Sequence, residues 1–275
     1  MPRNRTTNKR TGRGKKPPRQ GLAAFLPEAG APPILAFDTP GVKSLKFVFG
    51  LLLLPVCWAL LETFLILLKA DTLAGSYWKS REFVSFGLGC FLWAVLFFGF
   101  RNRLMMWLYV TGHELTHALF VFLCRGKVAK VHISADGGHV LTNRNNFVIS
   151  LSPYFFPFYT AIAILVWAAI GWVVRDTGDL DPVWLYGSIG FTWMFHLTFT
   201  VWMIRRDQPD VDQNGRLFSF TLIFLVNVLI ICAMLIVASP TATFQSFGLS
   251  LWHNGGTLFS RLYESVVETY RWILF

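Results

Sequence analysis

Long apolar runs alternate with short polar segments along most of this chain. Runs long enough to cross a bilayer, about 20 residues each, begin near Phe47, Phe83, Leu104, Phe147, Val183 and Leu217. Only 15% of the residues are charged, whereas a soluble domain carries about 25%. The pattern therefore predicts an all-α polytopic membrane protein with about six transmembrane helices, in a core that covers residues 47–238.

The segment between the third and fourth apolar runs has a different period. Val131 and Ile133 alternate with polar residues, Asp136-Gly137-Gly138 follows, and apolar and polar residues are mixed again over 139–142. Alternation on both sides of a glycine-containing turn is typical of a β-hairpin. We therefore expect a small β-hairpin directly after the third helix.

The two ends of the chain differ from the core. Residues 1–46 are predicted to form a basic disordered arm and a Pro-rich linker, because the first 20 residues hold eight of the 25 Lys and Arg residues and no acid. Residues 239–275 are predicted to contain an amphipathic C-terminal helix. Its apolar positions repeat with helical spacing between Phe259 and Ile273, which is typical of a helix lying on a membrane surface.

The formal charge of +10 comes mainly from the basic arm, since the rest of the chain carries 17 basic and 15 acidic residues. A basic arm beside an apolar span favours a cytoplasmic N-terminus and contact with the lipid bilayer. We expect no nucleic-acid partner, because the arm has no aromatic residue to stack on bases. A compact chain without a targeting peptide suits a bacterial plasma membrane. The basic 125–146 loop conflicts with strict alternation of six spans, so its side of the membrane stays open.

The third predicted helix contains the motif His113-Glu114-Leu115-Thr116-His117. Histidines four residues apart lie about 40° apart around a helix, so both rings can reach one ion. A Glu beside the first His can take a proton from a water molecule at the metal. A carboxylate within a bilayer costs roughly 2.5–3.5 kcal/mol, and a metal site explains its presence better than a hydrogen-bonded cluster between helices. The motif predicts Zn²⁺ bound by His113 and His117, with Glu114 as general base.

A catalytic zinc takes three protein ligands and one water, so a third ligand must come from elsewhere. The candidates are Asp207, Asp210, Asp212, His139 and His196. An acid next to Pro209, just before the sixth span, can enter the membrane in a non-helical segment, which favours Asp210 or Asp212. A solvated loop is the alternative for these acids, and His196 fits packing or support of a ligand as well as ligation.

Together these motifs resemble the site-2 protease family of intramembrane zinc metalloproteases, over roughly residues 104–238. The His-Glu-Leu-Thr-His motif lies in a membrane helix, and Gly137-Gly138-His139-Val140 is similar to the family's Gly-rich β element. Ser152-Pro153 is similar to the family's small residue and Pro, and Gln208-Pro209-Asp210 to its segment with the third ligand. The family usually places Gly directly after that Asp, whereas Val211 follows Asp210 here. No PDZ domain is evident.

The resemblance implies cleavage of a peptide bond in a membrane protein substrate, with Asp210 as the third zinc ligand and Glu114 as general base and then acid. It also implies that an unwound substrate segment pairs with the hairpin edge near Gly138. Asn146 would bond the freed substrate backbone, although an Asn there also fits the start of a helix.

Two other functions also use histidines within a membrane to bind metal. A membrane desaturase with two iron ions needs several His clusters, and this chain has six His residues and one paired motif. A non-proteolytic membrane scaffold or transporter that binds an ion through the same cluster stays open as the alternative.

Overall fold

The computed structural model describes residues 39–73, 77–100, 103–174, 180–206, 208–239 and 242–274. Most of these residues are helical, and one two-stranded hairpin follows the third helix. The elements are α1 (Pro40–Leu73), a 3-10 turn (Tyr77–Lys79), α2 (Arg81–Gly99), α3 (Arg103–Leu123), β1 (Val128–Ser134), β2 (Gly137–Thr142), α4 (Phe147–Phe155), α5 (Phe158–Val173), α6 (Val183–Ile204), α7 (Pro209–Asn214), α8 (Arg216–Ala238) and α9 (Phe244–Leu274). The predicted helical class and the predicted hairpin are both confirmed.

The described helices differ in their bounds from the predicted end segments. The predicted basic arm and most of the predicted linker, residues 1–38, lie outside the described residues, and α1 already begins at Pro40. Residues 40–46, predicted as linker, are therefore helical. The C-terminal helix α9 begins at Phe244, well before the apolar repeat that predicted it.

Among the described residues, three helices are long and apolar enough to cross a membrane. They are Pro40–Lys69 of α1, the whole of α2 and the whole of α8. The pair α4 and α5 adds a fourth span if the two helices, bent by 71°, count as one broken span. The structure thus supports three or four of the six predicted spans. Helices α3 and α6 are less apolar, because α3 carries the His-Glu-Leu-Thr-His motif and α6 carries several Gly, Ser and Thr residues.

Helices α2 and α6 are in near-backbone contact. A Cβ added at Gly89 would overlap the Gly187 carbonyl, and one added at Gly190 would overlap the Phe86 carbonyl. Small residues allow two membrane helices to approach this closely. The paired helices therefore form a rigid wall on one side of α3.

An aromatic cluster fixes α3 against that wall. Trp93 and Phe97 of α2 pack with Tyr109 of α3 and with Phe195 and Phe199 of α6. The Tyr109 and Phe199 rings stack with centroids 4.5 Å apart. The helical face of α3 that begins with Tyr109, and continues to the His residues of the motif, is thus held in the interior.

The hairpin lies along the length of α3. Its antiparallel register pairs Ser134 with Gly137, Ile133 with Gly138 and Val131 with Val140. Arg103 at the start of α3 bonds Asp136 at the hairpin turn, with 3.0 Å between guanidinium and carboxylate. The start of β2, at Gly138, lies beside Glu114 in the middle of α3.

The bend between α4 and α5 follows from Pro157. Proline has no N–H and disfavours helix in the residue before it, and Phe156 is extended, with ψ of 111°. The carbonyl of Tyr154, near the end of α4, accepts a hydrogen bond from Asn227 Nδ2 of α8 at 2.9 Å. A backbone carbonyl at the helix break is thus hydrogen-bonded within the helix bundle.

Candidate metal centre

Helix α3 and the short helix α7 bring three side chains together. His113 and His117 lie one turn apart on α3, and their Nε2 atoms are 3.2 Å apart. Asp210 of α7 places Oδ2 3.4 Å from His113 Nε2 and 3.5 Å from His117 Nε2. Among the described residues this is the group of His, Cys, Asp and Glu side chains suited to hold a metal ion.

The spacing of these atoms fits a tetrahedral zinc site. In such a site, with bonds of about 2.0–2.1 Å, the ligand atoms lie about 3.3–3.4 Å apart. The three observed separations of 3.2, 3.4 and 3.5 Å are close to that value. Two imidazole nitrogens and one carboxylate oxygen also form a donor set that zinc takes in catalytic sites, with a fourth position left for water.

The orientation of His117 follows from Pro153. Proline cannot donate the helical hydrogen bond to the carbonyl four residues earlier, so the Ile149 carbonyl is freed. It accepts bonds from His117 Nδ1 at 2.9 Å and from Ser152 Oγ at 2.8 Å. Because a carbonyl only accepts, Nδ1 carries the proton and Nε2 keeps its lone pair for an ion.

Two tyrosines hold the other two members of the group. Tyr109, four residues before His113, places its hydroxyl 3.1 Å from His113 Nδ1. The Tyr154 hydroxyl donates to Asp210 Oδ2 at 3.3 Å and is equally far from Gln208 Oε1. Each candidate ligand therefore has a second partner that fixes its orientation, as is usual around metal sites.

Helix α7 is anchored by contacts with α4 and α8. Asn214 Nδ2 donates to Ser150 Oγ at 2.7 Å and to the Asp210 carbonyl at 2.9 Å. Ser219 Oγ donates to the carbonyl of buried Val211 at 3.0 Å. These bonds set the rotation of α7 and so turn Asp210 toward α3.

Glu114 lies next to the hairpin backbone and is only 6% exposed. A Cβ added at Gly138 would lie 2.5 Å from Glu114 Cγ and 2.8 Å from Glu114 Oε1. Glycine at 138 therefore leaves the space that the Glu114 side chain occupies. Of the two residues predicted to bind substrate, Gly138 is thus placed beside the predicted general base.

Asn146, the other residue predicted to bind substrate, caps α4. Its Oδ1 accepts the Ile149 N–H at 2.9 Å, and the side chain is exposed outside the metal-binding group. This is the helix-start role that the sequence also allowed.

The other ligand candidates that the structure describes lie apart from the group. Asp212 is 43% exposed and pairs with Arg216 at 2.7 Å. His139 is exposed on the hairpin and faces His132 across the two strands. His196 is half-buried in α6 with its Nε2 atom in the interior, and Asp207 lies outside the described residues. Of the four predicted candidates that the structure describes, Asp210 is the one that joins the two motif histidines.

Three supporting groups were not predicted from the sequence: Tyr109, Tyr154 and the Ile149 carbonyl. The signal for Tyr109 is its position four residues before His113, on the same helical face. The signal for the carbonyl is Pro153, four residues after Ile149. No local pattern indicates Tyr154, because its contact depends on how α7 packs against α4.

Comparison of the chain with protein-family models, with curated proteins and with solved structures finds no match in any of the three. The metal-binding group is therefore described by the geometry of this chain itself.

Proposed function

We propose that this protein is an intramembrane zinc metalloprotease of the site-2 protease type, which hydrolyses a peptide bond in or near a membrane-spanning segment of its substrate. The observation that carries the proposal is the convergence of His113, His117 and Asp210 beside buried Glu114. Metal-assisted hydrolysis needs a metal ion with protein ligands and a general base close to it. Here two His ligands have a Glu between them in the sequence, and the third ligand comes from a distant helix.

Each residue has a defined role in the proposed reaction. A bound Zn²⁺ ion would supply Lewis acidity at the water and at the substrate carbonyl. Glu114 takes a proton from the attacking water, whose oxygen forms a bond to the carbonyl carbon. The C–N bond then breaks, and Glu114 returns the proton to the leaving amine nitrogen. Tyr109, Tyr154 and the Ile149 carbonyl keep the three ligands in place.

The hairpin is the proposed platform for the substrate. A helix must unwind before a protease can reach its peptide bonds, and an extended segment can then pair with an exposed strand edge. Gly138 lies on β2 directly beside Glu114, so a segment paired there would run past the general base. The proposed substrate is therefore a membrane protein with a locally unwound span.

The proposed setting is the bilayer of a bacterial plasma membrane, with the N-terminus on the cytoplasmic side. Three helices, or four with the broken α4–α5 pair, are apolar enough to span it. We propose that α3 and α6 also lie within the membrane, enclosed by the more apolar helices, which completes six spans. Their polar residues then face the interior, where intramembrane polar groups are usually found.

The test compares Glu114→Gln with the wild type in cells and as purified protein. We expect Glu114→Gln to keep its zinc and to lose cleavage, because Gln cannot accept the proton from water. A comparison of membrane proteomes should show a membrane protein that accumulates uncut in the Glu114→Gln strain. Glu62→Gln, at the other acid within a predicted span, is the matched control and should cleave normally.

The same experiment separates proteolysis from the alternative of an ion-binding scaffold or transporter. A scaffold needs His113, His117 and Asp210 but has no use for a general base. Zinc binding together with identical proteomes in the wild-type and Glu114→Gln strains would favour the scaffold and contradict the protease.

A further inference from the structure

A small cavity lies between α3, the α4–α5 break and α6, and His113 forms part of its wall. Its volume is about 20 Å³, and a cavity needs roughly 10–15 Å³ to hold one water molecule. The cavity therefore has room for a single oxygen atom. The side chains in its wall that carry polar atoms are Tyr109, His113, Thr116, Tyr159 and His196.

All but one of these polar side chains have their hydrogen bonds within the protein. The Tyr109 hydroxyl bonds His113, the Thr116 hydroxyl donates to the Gly112 carbonyl at 2.6 Å, and the Tyr159 hydroxyl donates to the Leu108 carbonyl at 2.6 Å. His113 directs its other nitrogen, Nε2, toward the metal-binding group. That leaves His196 as the one donor in the wall with an unused nitrogen.

His196 is a half-buried residue in the middle of α6. Its Nε2 atom is buried and has no hydrogen-bond partner among the described residues. Buried polar groups are nearly always paired, and an exception calls for a ligand or a water. Pro153, Phe156 and Phe195 form apolar walls around the cavity, so an oxygen bound there would be shielded from other donors.

The cavity lies on the side of the two-histidine face that is opposite Glu114. At 100° per residue, Glu114 is about 100° to one side of His113 around α3, and Gly112 is about 100° to the other. Gly112 and Thr116 both line the cavity. The cavity and Glu114 therefore lie on opposite sides of the face at which a substrate carbonyl would bind.

We propose that this cavity is a subsite for one hydrogen-bond-accepting oxygen atom, and that His196 Nε2 donates the bond. The oxygen belongs either to a resident water or to the carbonyl of the peptide bond being cut. The assignment to a substrate carbonyl rests on the proposed function. In that case His196 is a catalytic residue that stabilises the negative charge developing on the oxygen, as donors in an oxyanion hole do.

The test uses His196→Phe, which keeps a ring of similar shape and removes the donor, and His196→Gln, which restores a donor. Thr160→Val is the matched control, because Thr160 Oγ1 is the other buried polar side-chain atom without a partner among the described residues and lies outside the cavity wall. Zinc content, the thermal unfolding midpoint and a structure that resolves ordered waters are measured for each. Cleavage is measured on the membrane protein that accumulates uncut in the Glu114→Gln strain.

A resident water would appear in the wild-type cavity and be lost in His196→Phe, with a lower unfolding midpoint. A carbonyl oxygen would leave the free cavity empty, and His196→Phe would lower kcat by about 10²–10³-fold, the effect of losing one oxyanion donor. In that case KM and zinc content stay at wild-type values, and His196→Gln recovers part of kcat. Either result supports the subsite.

An empty wild-type cavity together with unchanged cleavage by His196→Phe would overturn the subsite, even if zinc binding and proteolysis are both established. If His196→Phe does not fold, Thr116→Ile fills the cavity from α3 and leaves His196 intact, and the same losses are expected. Failure of the proposed function would appear separately, as a wild-type protein without zinc or without a Glu114-dependent substrate.

Discussion

Replacing Gly138 with alanine tests whether the hairpin backbone positions the proposed general base. The added Cβ would lie 2.5 Å from Glu114 Cγ. Carbon atoms in ordinary contact are about 3.5–4.0 Å apart, so Glu114 or the hairpin must move by about 1 Å. The carboxylate would then leave the position from which it takes the proton of the attacking water.

The expected loss follows from that displacement. A misplacement of about 1 Å at a reacting group costs on the order of 10²-fold in rate, so kcat of Gly138→Ala should fall by about that factor. Zinc content should not change, because none of the three candidate ligands contacts Gly138. If strand pairing with the substrate were impaired instead, KM would rise while kcat stayed near the wild-type value.

The assay compares kcat, KM and zinc content of the purified wild type and the variant on the substrate identified in the Glu114→Gln strain. Gly87→Ala is the control, since a Cβ there meets no atom within 4 Å and alanine favours the helix. Cleavage by Gly138→Ala at the wild-type rate would refute this role of the hairpin, because Glu114 would then tolerate the displacement.

Three further substitutions test the packing and the supporting bonds. Gly190→Val should force α2 and α6 apart and lower the free energy of unfolding by about 1–3 kcal/mol, measured by thermal unfolding in detergent against Gly87→Ala; equal midpoints would rule out close helix contact. Pro153→Ala should weaken zinc affinity about 10–100-fold, because a new N–H competes for the Ile149 carbonyl; an unchanged affinity in a metal competition assay would refute that role. Asn227→Leu should cost about 1–3 kcal/mol by leaving a buried carbonyl unpaired at the α4–α5 break, and an unchanged unfolding midpoint would count against it.

The parts of the fold with local periodicity could be predicted from the sequence. The helix around the His-Glu-Leu-Thr-His motif has helical apolar spacing, and the hairpin has alternation on both sides of Gly137 and Gly138, so each is specified by neighbouring residues. The number of spans could not be read in the same way. Helices α3 and α6 carry polar residues among their apolar ones, and the structure supports only the more continuously apolar helices as spans.

The choice between Asp210 and Asp212 could not be predicted from local sequence patterns. Residues two apart point about 200° away from each other around a helix, so one of the two acids must face away from α3. Which one does so depends on how α7 packs. Asn214 and Ser219 set that packing through bonds to α4 and to α7 itself, and these long-range contacts have no signature in the sequence.

Of the two supporting tyrosines, one could be predicted from the sequence and the other could not. Tyr109 lies on the helical face of His113 and follows from spacing along a single helix. Tyr154 reaches Asp210 across 56 positions of the chain, and this contact depends on how α7 packs against α4. Only the assembled structure brings this second contact into view.

Zinc content of the purified protein tests the metal centre most directly. Elemental analysis should find one zinc per chain in the wild type, in Glu114→Gln and in Asp212→Ala, because these keep all three converging ligands. It should find little or none in His117→Ala and Asp210→Ala. A wild-type protein without zinc, or full zinc content in Asp210→Ala, would contradict the account.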